Sequence, residues 1–456
     1  MTATKTVRIS ALREHLSGEV IGPSDAAYDG ARQLFAGNFD KRPSAIVRPV
    51  DAEEVSRLVK LAAGAGSELA VRSGGHSSAG HSGSDGGIVL DLSAMKTLDI
   101  DVESGTAWAE TGLTAGEYSV AAAEHRLATG FGDTGSVGLG GITLGGGIGY
   151  LVRKHGLTID DLLAADIVTA DGAELRVDDR THPDLFWAIR GGGGNFGVAT
   201  RFRFRLHEVG TVYGGILMLP ATVQTITGFL AEAEAAPREL STIANVMKAP
   251  PMPFIPEELH GSLAIFALMV HSEGGDAGER AVAPFRALAE PLADMLRPMS
   301  YPEIYMPQEE EYHPIAVGKT RFTDELGEDA IATILDSVES STAMMAVAQI
   351  RALGGAMGDV PDDATAFAHR RSRFMVTVAN VYERVEDTPT HQAWVNDLAG
   401  ALGLNGRSAY VNFLGEEGDE GVRAAYPDAT WARLRSVKRQ YDPDNLFRLN
   451  QNIPPA

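Results

Sequence analysis

Two glycine-rich segments carry the residue types that could hold a phosphorylated ligand. The first, Val71–Ser82 (VRSGGHSSAGHS), follows a strand-like run and combines glycine with serine and histidine. Successive backbone N–H groups in such a loop can form a concave surface that binds an anion without lysine. The second, Gly130–Gly149, is the densest glycine segment and also contains Thr134, Ser136 and Thr143. For the first segment, an ordinary glycine turn is the alternative.

Together the two segments predict a pair of glycine-rich walls around an extended diphosphate cofactor. Glycine lets backbone approach a ligand closely, and ligand contacts would offset the entropy lost on ordering such loops. His76 lies inside the first wall, so we expect its imidazole beside that cofactor rather than in an apolar core. His81 is the rival histidine, and a hydrogen bond within the loop is the simpler interpretation of it.

Several familiar catalytic and nucleotide-binding patterns are absent or misplaced. Gly192, Gly194 and Gly197 have the spacing of the dinucleotide fingerprint. A predicted helix precedes them and a predicted strand follows, which is the reverse of the order that a Rossmann site requires. The sequence contains no G-x-S-x-G, no HExxH and no cysteine. These absences exclude a nucleophile elbow, that zinc motif and thiolate chemistry, and we predict no metal site.

The elements that would position these segments are short strands and helices. Helical spacing after a capping-type Asp51 predicts one helix, and a second is predicted over Thr114–His125. Strands are predicted at Leu69–Arg72 and Val198–Leu206, and Asp171-Gly172 is a strong β-hairpin signal. Because Leu69–Arg72 runs directly into the first glycine wall, we expect that wall to start at a strand end.

Glycine density falls after about residue 210, and this change marks a predicted domain boundary. From there to about residue 405, amphipathic helices such as Val223–Ala235 and Glu328–Met344 alternate with strand-like runs such as Leu263–Val270 and Phe374–Val381. The end of the chain again carries a short ordered motif, YDPDNLFRLNQNI. We therefore expect an α+β protein of two domains.

The composition indicates a globular protein that binds neither nucleic acid nor membranes. Its 456 residues include 39 Lys and Arg against 61 Asp and Glu, a formal net charge of −22, with no run of basic residues. The sequence has no signal-peptide core and no stretch of about 18 apolar residues, so we expect a cytoplasmic protein. The acidic surface is compatible with either a monomer or a homodimer.

The ordered motifs resemble one flavoprotein family along nearly the whole chain. RSGGHS at 72–77, GSVGLGG at 135–141, LGGGIGYL at 144–151, ADIVTADG at 165–172 and LFWAIRGGGGNFGV at 185–198 are similar to the FAD domain of the vanillyl-alcohol oxidase / p-cresol methylhydroxylase superfamily. GDVPDDATAFAHR at 358–370 and YDPDNLFRLNQNI at 441–453 resemble its berberine-bridge-enzyme-like branch, and in it the bacterial group typified by 6-hydroxy-D-nicotine oxidase.

This resemblance implies a two-domain FAD-binding fold of the vanillyl-alcohol oxidase type. Residues 1–208 would form the FAD-binding domain and residues 209–409 a separate sheet-and-helix substrate domain. Residues 410–456 would return to the FAD domain.

The resemblance also implies a set of FAD-binding residues and a covalent attachment point. Arg72 to Ser77 matches the diphosphate loop, and His76 matches the histidine bonded to the flavin 8α-methyl group. Such a bond retains the cofactor and tunes its potential. Relatives that bind flavin twice use a cysteine at the position of Thr134, so attachment through His76 alone is predicted. The predicted FAD-binding residues are Arg72, Ser73, Gly74, Gly75, His76, Ser77, His81, Thr134, Ser136, Gly138, Gly141, Gly146, Val198, Asn450 and Asn452.

The sequence departs from the family at the catalytic base. Oxidation of an alcohol needs a base for the hydroxyl proton, and a positioned base contributes about 10²–10⁴-fold. The tyrosine that many relatives place in A-Y-x-N-Y is Phe413 here, and the glutamate of another relative aligns near Val376. Tyr410 and His369 are the predicted catalytic residues and Glu416 is a further candidate, although packing, interface and surface roles would explain each. Alternatively, the substrate is a neutral amine whose lone pair assists hydride release.

The implied function is FAD-dependent oxidation of a small aromatic, heterocyclic or natural-product substrate. Hydride would pass from a C–H next to oxygen or nitrogen to flavin N5, and O2 would be reduced to H2O2. One alternative is oxidative cyclisation or tailoring in secondary metabolism, and another is a flavin-binding protein without turnover. Side chains that could line an apolar pocket over the flavin, or could equally be plain core, are Met247, Met252, Phe254, Phe266, Met269, Tyr305 and Met306.

Overall fold

The computed structural model describes residues 7–306, 312–404, 406 and 408–456. The strands in these ranges are β1 Glu19–Ile21, β2 Ala45–Arg48, β3 Leu69–Arg72, β4 Ile88–Asp91, β5 Leu98–Asp101, β6 Thr106–Glu110, β7 Leu127–Ala128, β8 Leu162–Val168, β9 Glu174–Val177, β10 Val198–Arg205, β11 His207–Glu208, β12 Thr211–Pro220, β13 Leu240–Lys248, β14 Leu263–His271, β15 Ala293–Asp294, β16 Arg297–Ser300, β17 Ile315–Thr323, β18 Met345–Ala352 and β19 Phe374–Tyr382.

The α-helices in the same ranges are α1 Ile9–His15, α2 Tyr28–Ala31, α3 Ala52–Ala65, α4 Ala115–Ala123, α5 Leu139–Gly145, α6 Val152–His155, α7 Pro183–Ala188, α8 Val223–Ala235, α9 Gly275–Arg286, α10 Glu328–Ser340, α11 Ala356–Asp359, α12 Thr388–Ala401, α13 Gly418–Ala424 and α14 Asp428–Tyr441. None of these helices is both long and apolar enough to cross a membrane.

Strands β1 to β4 form the sheet from which the first glycine wall emerges. The strand order is β1-β2-β4-β3, in which β2, β4 and β3 are parallel and β1 is antiparallel to β2. Helix α3 buries Val55 and Leu58 in the core of this unit. The Asp51 side chain caps α3 by accepting a hydrogen bond from the Glu54 amide (2.8 Å). The first wall starts at Arg72, where β3 ends, as the sequence predicts.

A five-stranded antiparallel sheet, β5-β6-β10-β8-β9, supports the second glycine wall. Strands β8 and β9 pair on either side of Asp171-Gly172, and Gly172 has the positive φ (+74°) that such a turn requires. Phe131, in the second wall, meets Tyr118 and Phe204 edge to face at centroid distances of 4.9 and 5.4 Å. These buried aromatic contacts fix the start of the wall on the sheet.

The second glycine wall contains a helix where the sequence indicates a continuous loop. Helix α5 occupies Leu139–Gly145, in the middle of Gly130–Gly149. Its Leu139, Ile142 and Leu144 side chains are buried. This burial offsets the low helix propensity of the neighbouring glycines. The sequence pattern alone does not reveal the burial, so it does not predict the helix.

Residues 211–382 contain an eight-stranded antiparallel sheet with helices on one face. The order is β15-β12-β14-β13-β18-β19-β17, and β16 also pairs with β12. Helices α8, α9, α10 and α12 pack on one face, where Phe229, Phe285 and Leu398 share a core. On the other face, Arg351 of β18 donates to the backbone carbonyl of Ile148 in the second glycine wall (3.4 Å). The sheet therefore faces the walls directly.

The C-terminal tail packs against the glycine turn that follows α7. Asn195 in that turn accepts one hydrogen bond from the Ile453 amide (2.8 Å) and another from the Lys438 ammonium (2.7 Å). Lys438 also donates to Asp442 (2.6 Å), and both side chains are fully buried. These contacts hold residues near Asn450 beside the two walls.

Candidate functional site

A cavity of about 480 Å³ lies between the two glycine walls, the eight-stranded sheet and the C-terminal tail. The walls touch at Gly74 and Gly138, where a Cβ atom on Gly74 would lie 2.2 Å from the Gly138 nitrogen. Ser73 fixes this contact, because its Oγ accepts from the Gly140 amide (3.1 Å) and donates to the Thr111 carbonyl. Glycine is therefore required at the junction for steric reasons.

His76 projects from the first wall into contact with the second. Its Nε2 lies 3.1 Å from the Oγ of Ser136, and its ring stacks on Phe35 with the centroids 4.1 Å apart. Burial lowers the pKa of His76 to about 4, despite smaller opposing effects of Ser136 and Asp133. The imidazole is therefore neutral near pH 7 and carries a nitrogen lone pair.

An ion pair between a buried arginine and a half-buried aspartate connects the second wall to the eight-stranded sheet. Asp133 bonds to the Nη2 of Arg351, and both residues line the cavity. The guanidinium also donates to the Oε1 of Gln349 from Nε (3.0 Å) and from Nη2 (2.7 Å), and Gln349 lines the cavity as well. The sequence analysis did not identify these three residues. A signal for two of them was the pair of polar side chains, Gln349 and Arg351, in the otherwise apolar strand β18.

The comparisons with known proteins agree with this geometry. Residues 43–178 match the family model "FAD binding domain", and residues 409–454 match "Berberine and berberine like". (R)-6-hydroxynicotine oxidase of Paenarthrobacter nicotinovorans is 31% identical over 96% of this chain and 97% of its own length. An uncharacterised FAD-linked oxidoreductase of Bacillus subtilis is 30% identical over 97% of this chain and 99% of its own.

The chain belongs to the berberine-bridge-enzyme-like family of FAD-linked oxidoreductases. The crystal structure of 6-hydroxy-D-nicotine oxidase from Arthrobacter nicotinovorans superimposes with a TM-score of 0.86 at 28% identity, covering 97% of this chain and 98% of that one. The predicted family and the predicted α+β FAD-binding fold are thus confirmed. FAD is the cofactor of this family member, and the enzyme is an oxidoreductase that acts on a small organic substrate.

The cavity has the features that an FAD site needs. Its volume is within the range of about 300–1,000 Å³ that is common for ligand and cofactor pockets. A Cβ atom on Gly141 or Gly194, both in the lining, would meet no described atom within 4 Å, so these glycines keep the space open for a ligand. The Oδ1 of Asn450 is buried in the lining and has no hydrogen-bond partner among the described residues. This acceptor is available to a bound group.

Ten of the fifteen predicted FAD-binding residues line this cavity. They are Ser73, Gly74, Gly75, His76, Ser77, His81, Thr134, Gly138, Gly141 and Asn450. Ser136 is not in the lining, but its hydroxyl is hydrogen-bonded to His76. Burial and the charge of Lys41 lower the pKa of His81 to about 4, so a second neutral imidazole lies in the same wall.

Besides Ser136, four predicted FAD-binding residues lie outside the lining. Arg72 turns away from the cavity and donates to the carbonyls of Ser82 (3.0 Å) and Ala31 (2.6 Å), which fixes the loop between them. Gly146, with φ +134°, packs beside Phe367, where a Cβ atom would lie 3.0 Å from the ring. Val198 is buried at the start of β10 and pairs with Val168. Asn452 is half-buried, and its Oδ1 has no partner in the described part of the chain.

Neither predicted catalytic residue lines the cavity. The buried Tyr410 hydroxyl accepts from the Gly147 amide (3.0 Å) and the Asn412 side chain (3.1 Å), and burial raises its pKa. His369 lies within 3.1 Å of the Ala425 carbonyl through Nε2 and stacks on Phe322. Burial lowers its pKa to about 4.

Of the other three positions at which a catalytic base was considered, one lies in the cavity lining, one in the core and one at the surface. Phe413, at the expected tyrosine position, does line the cavity, 5.4 Å from the Arg351 guanidinium. Val376 is fully buried in the core between the sheet and its helices. Glu416 is exposed and lines an adjoining cleft.

The apolar side chains expected above the flavin do not line the cavity. Met247 and Phe266 pack in a separate buried cluster, with Met252 and Phe254 against it. Met269 faces the helices on the far side of the sheet. Tyr305 belongs to a tyrosine-rich cluster, and Met306 is exposed. Plain packing, the alternative considered for these residues, describes the positions of all of them except Met306.

The Gly192–Asn195 turn also contributes to the site, although it has no Rossmann geometry. Helix α7 precedes it and β10 follows, as the sequence predicts. Gly193, Gly194 and Asn195 line the cavity. The turn therefore forms a third glycine-containing segment of the wall.

Proposed function

We propose that this enzyme is an oxidase that holds FAD through a single covalent bond to His76. The bond would join a ring nitrogen to the flavin 8α-methyl carbon in place of one C–H bond; the N–H and the C–H would each give up a proton, and the electron pair of the C–H would reduce the flavin, which O2 would reoxidise. When bound, FAD supplies the centre that accepts hydride from a C–H next to oxygen or nitrogen and is reoxidised by O2 with release of H2O2. The observation that carries the proposal is the environment of His76: it lies half-buried in the wall of the cavity, where desolvation keeps it neutral near pH 7, the form in which its nitrogen can bond to carbon.

The assignment of the walls follows from the same geometry. We propose that residues 1–208 and 410–456 bind FAD, since they contribute Ser73, His76 and Asn450 to the cavity. Residues 209–409 would contact the substrate through the sheet face that carries Gln349 and Arg351. Asp133 joins the two parts across the cavity.

The positions of Phe413, Tyr410 and His369 favour a substrate that needs no strong protein base. Phe413, in the lining, cannot transfer a proton, and Tyr410 and His369 stay predictions whose side chains lie outside the lining. A neutral amine can release hydride with help from its own lone pair. A relative that is 31% identical is named as an oxidase of (R)-6-hydroxynicotine. Amine-bearing heterocycles are therefore the first substrates to examine.

The test is anaerobic mixing of the purified enzyme with a substrate panel. The panel contains cyclic amines, benzylic alcohols and oligosaccharides, and flavin absorbance near 450 nm is followed. We expect bleaching by a cyclic amine and recovery of the absorbance, with H2O2, when air is admitted. A product that is lighter by two hydrogens and keeps the ring system of the substrate would indicate simple oxidation. A product that is lighter by two hydrogens and whose NMR spectrum shows a new ring would indicate oxidative cyclisation. Flavin that no compound bleaches would favour a non-catalytic flavin protein, and preferential bleaching by oligosaccharides would contradict the proposed substrate class.

A further inference from the structure

A row of polar side chains crosses the sheet face that is turned toward the cavity. Asn245 of β13, Gln349 of β18, Thr377 of β19 and Thr320 of β17 are direct cross-strand neighbours. The Gln349 side chain bonds to Asn245 (2.9 Å), and the two threonine hydroxyls bond to each other (2.8 Å). Polar side chains in register on four neighbouring strands form a continuous hydrogen-bonding surface.

This polar row contributes to both cavities that His76 lines. Gln349 lines the same cavity as His76. Thr377 and Thr320 line an adjoining cleft of about 1490 Å³, whose lining also includes His76 and Phe413. A molecule beside His76 can therefore contact the row.

The hydrogen bonds at one end of the row run in one direction, from Arg351 through Gln349 to Asn245. Asn245 donates through Nδ2 to the Phe266 carbonyl (3.0 Å), so its Oδ1 is the atom that accepts from Gln349 Nε2. The Oε1 of Gln349 in turn accepts from the Arg351 guanidinium. Gln349 Nε2 carries two hydrogens and Asn245 takes one of them. The second hydrogen of Gln349 Nε2 is therefore a donor that this wall can offer a ligand.

The charge of the wall is balanced. The Arg351 guanidinium is paired with Asp133, whose other oxygen accepts from the Thr134 hydroxyl (3.2 Å). A charged ligand would therefore find no unpaired counter-ion in this pair. The ring of Phe413, beside Arg351, provides an apolar surface next to the donor.

We infer that Gln349, held by Arg351 and Asn245, is a positioning residue that donates a hydrogen bond to an uncharged acceptor on an aromatic or heterocyclic substrate. The acceptor is a carbonyl or ether oxygen or a ring nitrogen. This inference rests on the proposed function and deepens it, since it names the recognition element of the substrate. A carbonyl of the flavin ring has the same chemistry, so the test separates the two sources.

The test compares two probes of the same shape on the purified, flavin-loaded enzyme. Acetophenone carries a carbonyl oxygen, and α-methylstyrene has CH2 in its place. Binding is measured by isothermal titration calorimetry, which needs neither turnover nor a redox-active flavin. We expect acetophenone to bind at least tenfold more tightly than α-methylstyrene. Gln349→Leu should remove this difference, and so should Gln349→Glu, which keeps the shape and replaces the donor by an acceptor.

The matched control is Gln224→Leu. Gln224 is exposed on α8, which packs on the opposite face of the sheet, so this variant should keep the preference for acetophenone. Equal binding of the two probes by the unaltered enzyme, no binding of acetophenone, or an unchanged preference in Gln349→Leu would overturn the inference. A shifted flavin spectrum in Gln349→Leu with unchanged probe binding would assign the donor to the flavin and also overturn it. A preparation without absorbance near 450 nm would instead contradict the proposed function.

Discussion

His76 is half-buried, and two contacts fix its ring. Phe35 stacks on one face of the imidazole, and Ser136 contacts Nε2 from the opposite wall. An imidazole in water would be partly protonated near pH 6.5, but here desolvation lowers its pKa to about 4. The histidine therefore stays neutral over the physiological range and presents a nucleophilic nitrogen in a fixed orientation.

This pKa predicts how flavin attachment depends on pH. Protein produced without flavin and then mixed with FAD should form the covalent bond at a constant rate between about pH 6 and 8. The rate should fall as the pH approaches about 4, because the protonated imidazole has no lone pair to form the bond. Acid-stable flavin absorbance after timed quenching measures the rate. A midpoint near the ordinary histidine value of about 6.5 would contradict the assigned environment.

At the scale of elements, α14 and the tail after it close the cavity from the C-terminal side. The motif YDPDNLFRLNQNI allowed the sequence to predict that this segment returns to the FAD side. The buried pair of Lys438 and Asp442, which anchors this segment, was not predicted, because most of its hydrogen-bond partners are backbone atoms that only the fold brings together. Lys438 donates to the carbonyls of Asn195 (2.7 Å) and Phe447 (3.1 Å), and Asp442 accepts from the Leu446 and Phe447 amides.

Substitution of Lys438 by methionine should destabilise the whole enzyme. The change leaves the buried Asp442 carboxylate without its counter-ion, and loss of one partner of a buried pair costs about 3–5 kcal/mol. Asn450 should also lose its position, so flavin should be retained less well in a His76→Ala background. Arg439→Met, on an exposed position of the same helix, is the control and should change stability by less than about 0.5 kcal/mol. Thermal unfolding of both variants measures the difference, and equal melting temperatures would contradict the anchor role.

For the whole molecule, the site is assembled from segments that are far apart in the sequence. The glycine walls could be predicted because each is a short continuous segment, in which closely spaced glycine, serine and histidine residues indicate a ligand-binding loop. Arg351 and Gln349 could not be predicted as site residues. The alternation of side chains along β18 places both on one face of the sheet, but it does not indicate which part of the protein that face contacts. Asp133 lies inside the second wall, but its partner is 218 residues away. Helix α5 was missed for a related reason, because its stability comes from tertiary burial.

The whole-molecule account predicts that the cofactor stabilises the fold. In a His76→Ala variant, FAD can bind only reversibly, so its binding free energy adds to stability in proportion to ln(1 + [FAD]/Kd). A concentration 100 times Kd should add about 2.7 kcal/mol and raise the melting temperature, with a larger rise at higher concentration. The unaltered enzyme, with its sites already filled covalently, should not respond. A variant whose melting temperature ignores added FAD would contradict binding in this cavity.

The central claim is tested most directly by the absorbance of the purified protein before and after acid precipitation, in the unaltered enzyme and in His76→Ala. We expect the yellow flavin to stay with the pellet of the unaltered enzyme and to pass into the supernatant for His76→Ala. Flavin released from the unaltered enzyme, or retained by the pellet of His76→Ala, would contradict attachment at His76. A colourless protein that also fails to bind added FAD would contradict the flavoenzyme account itself.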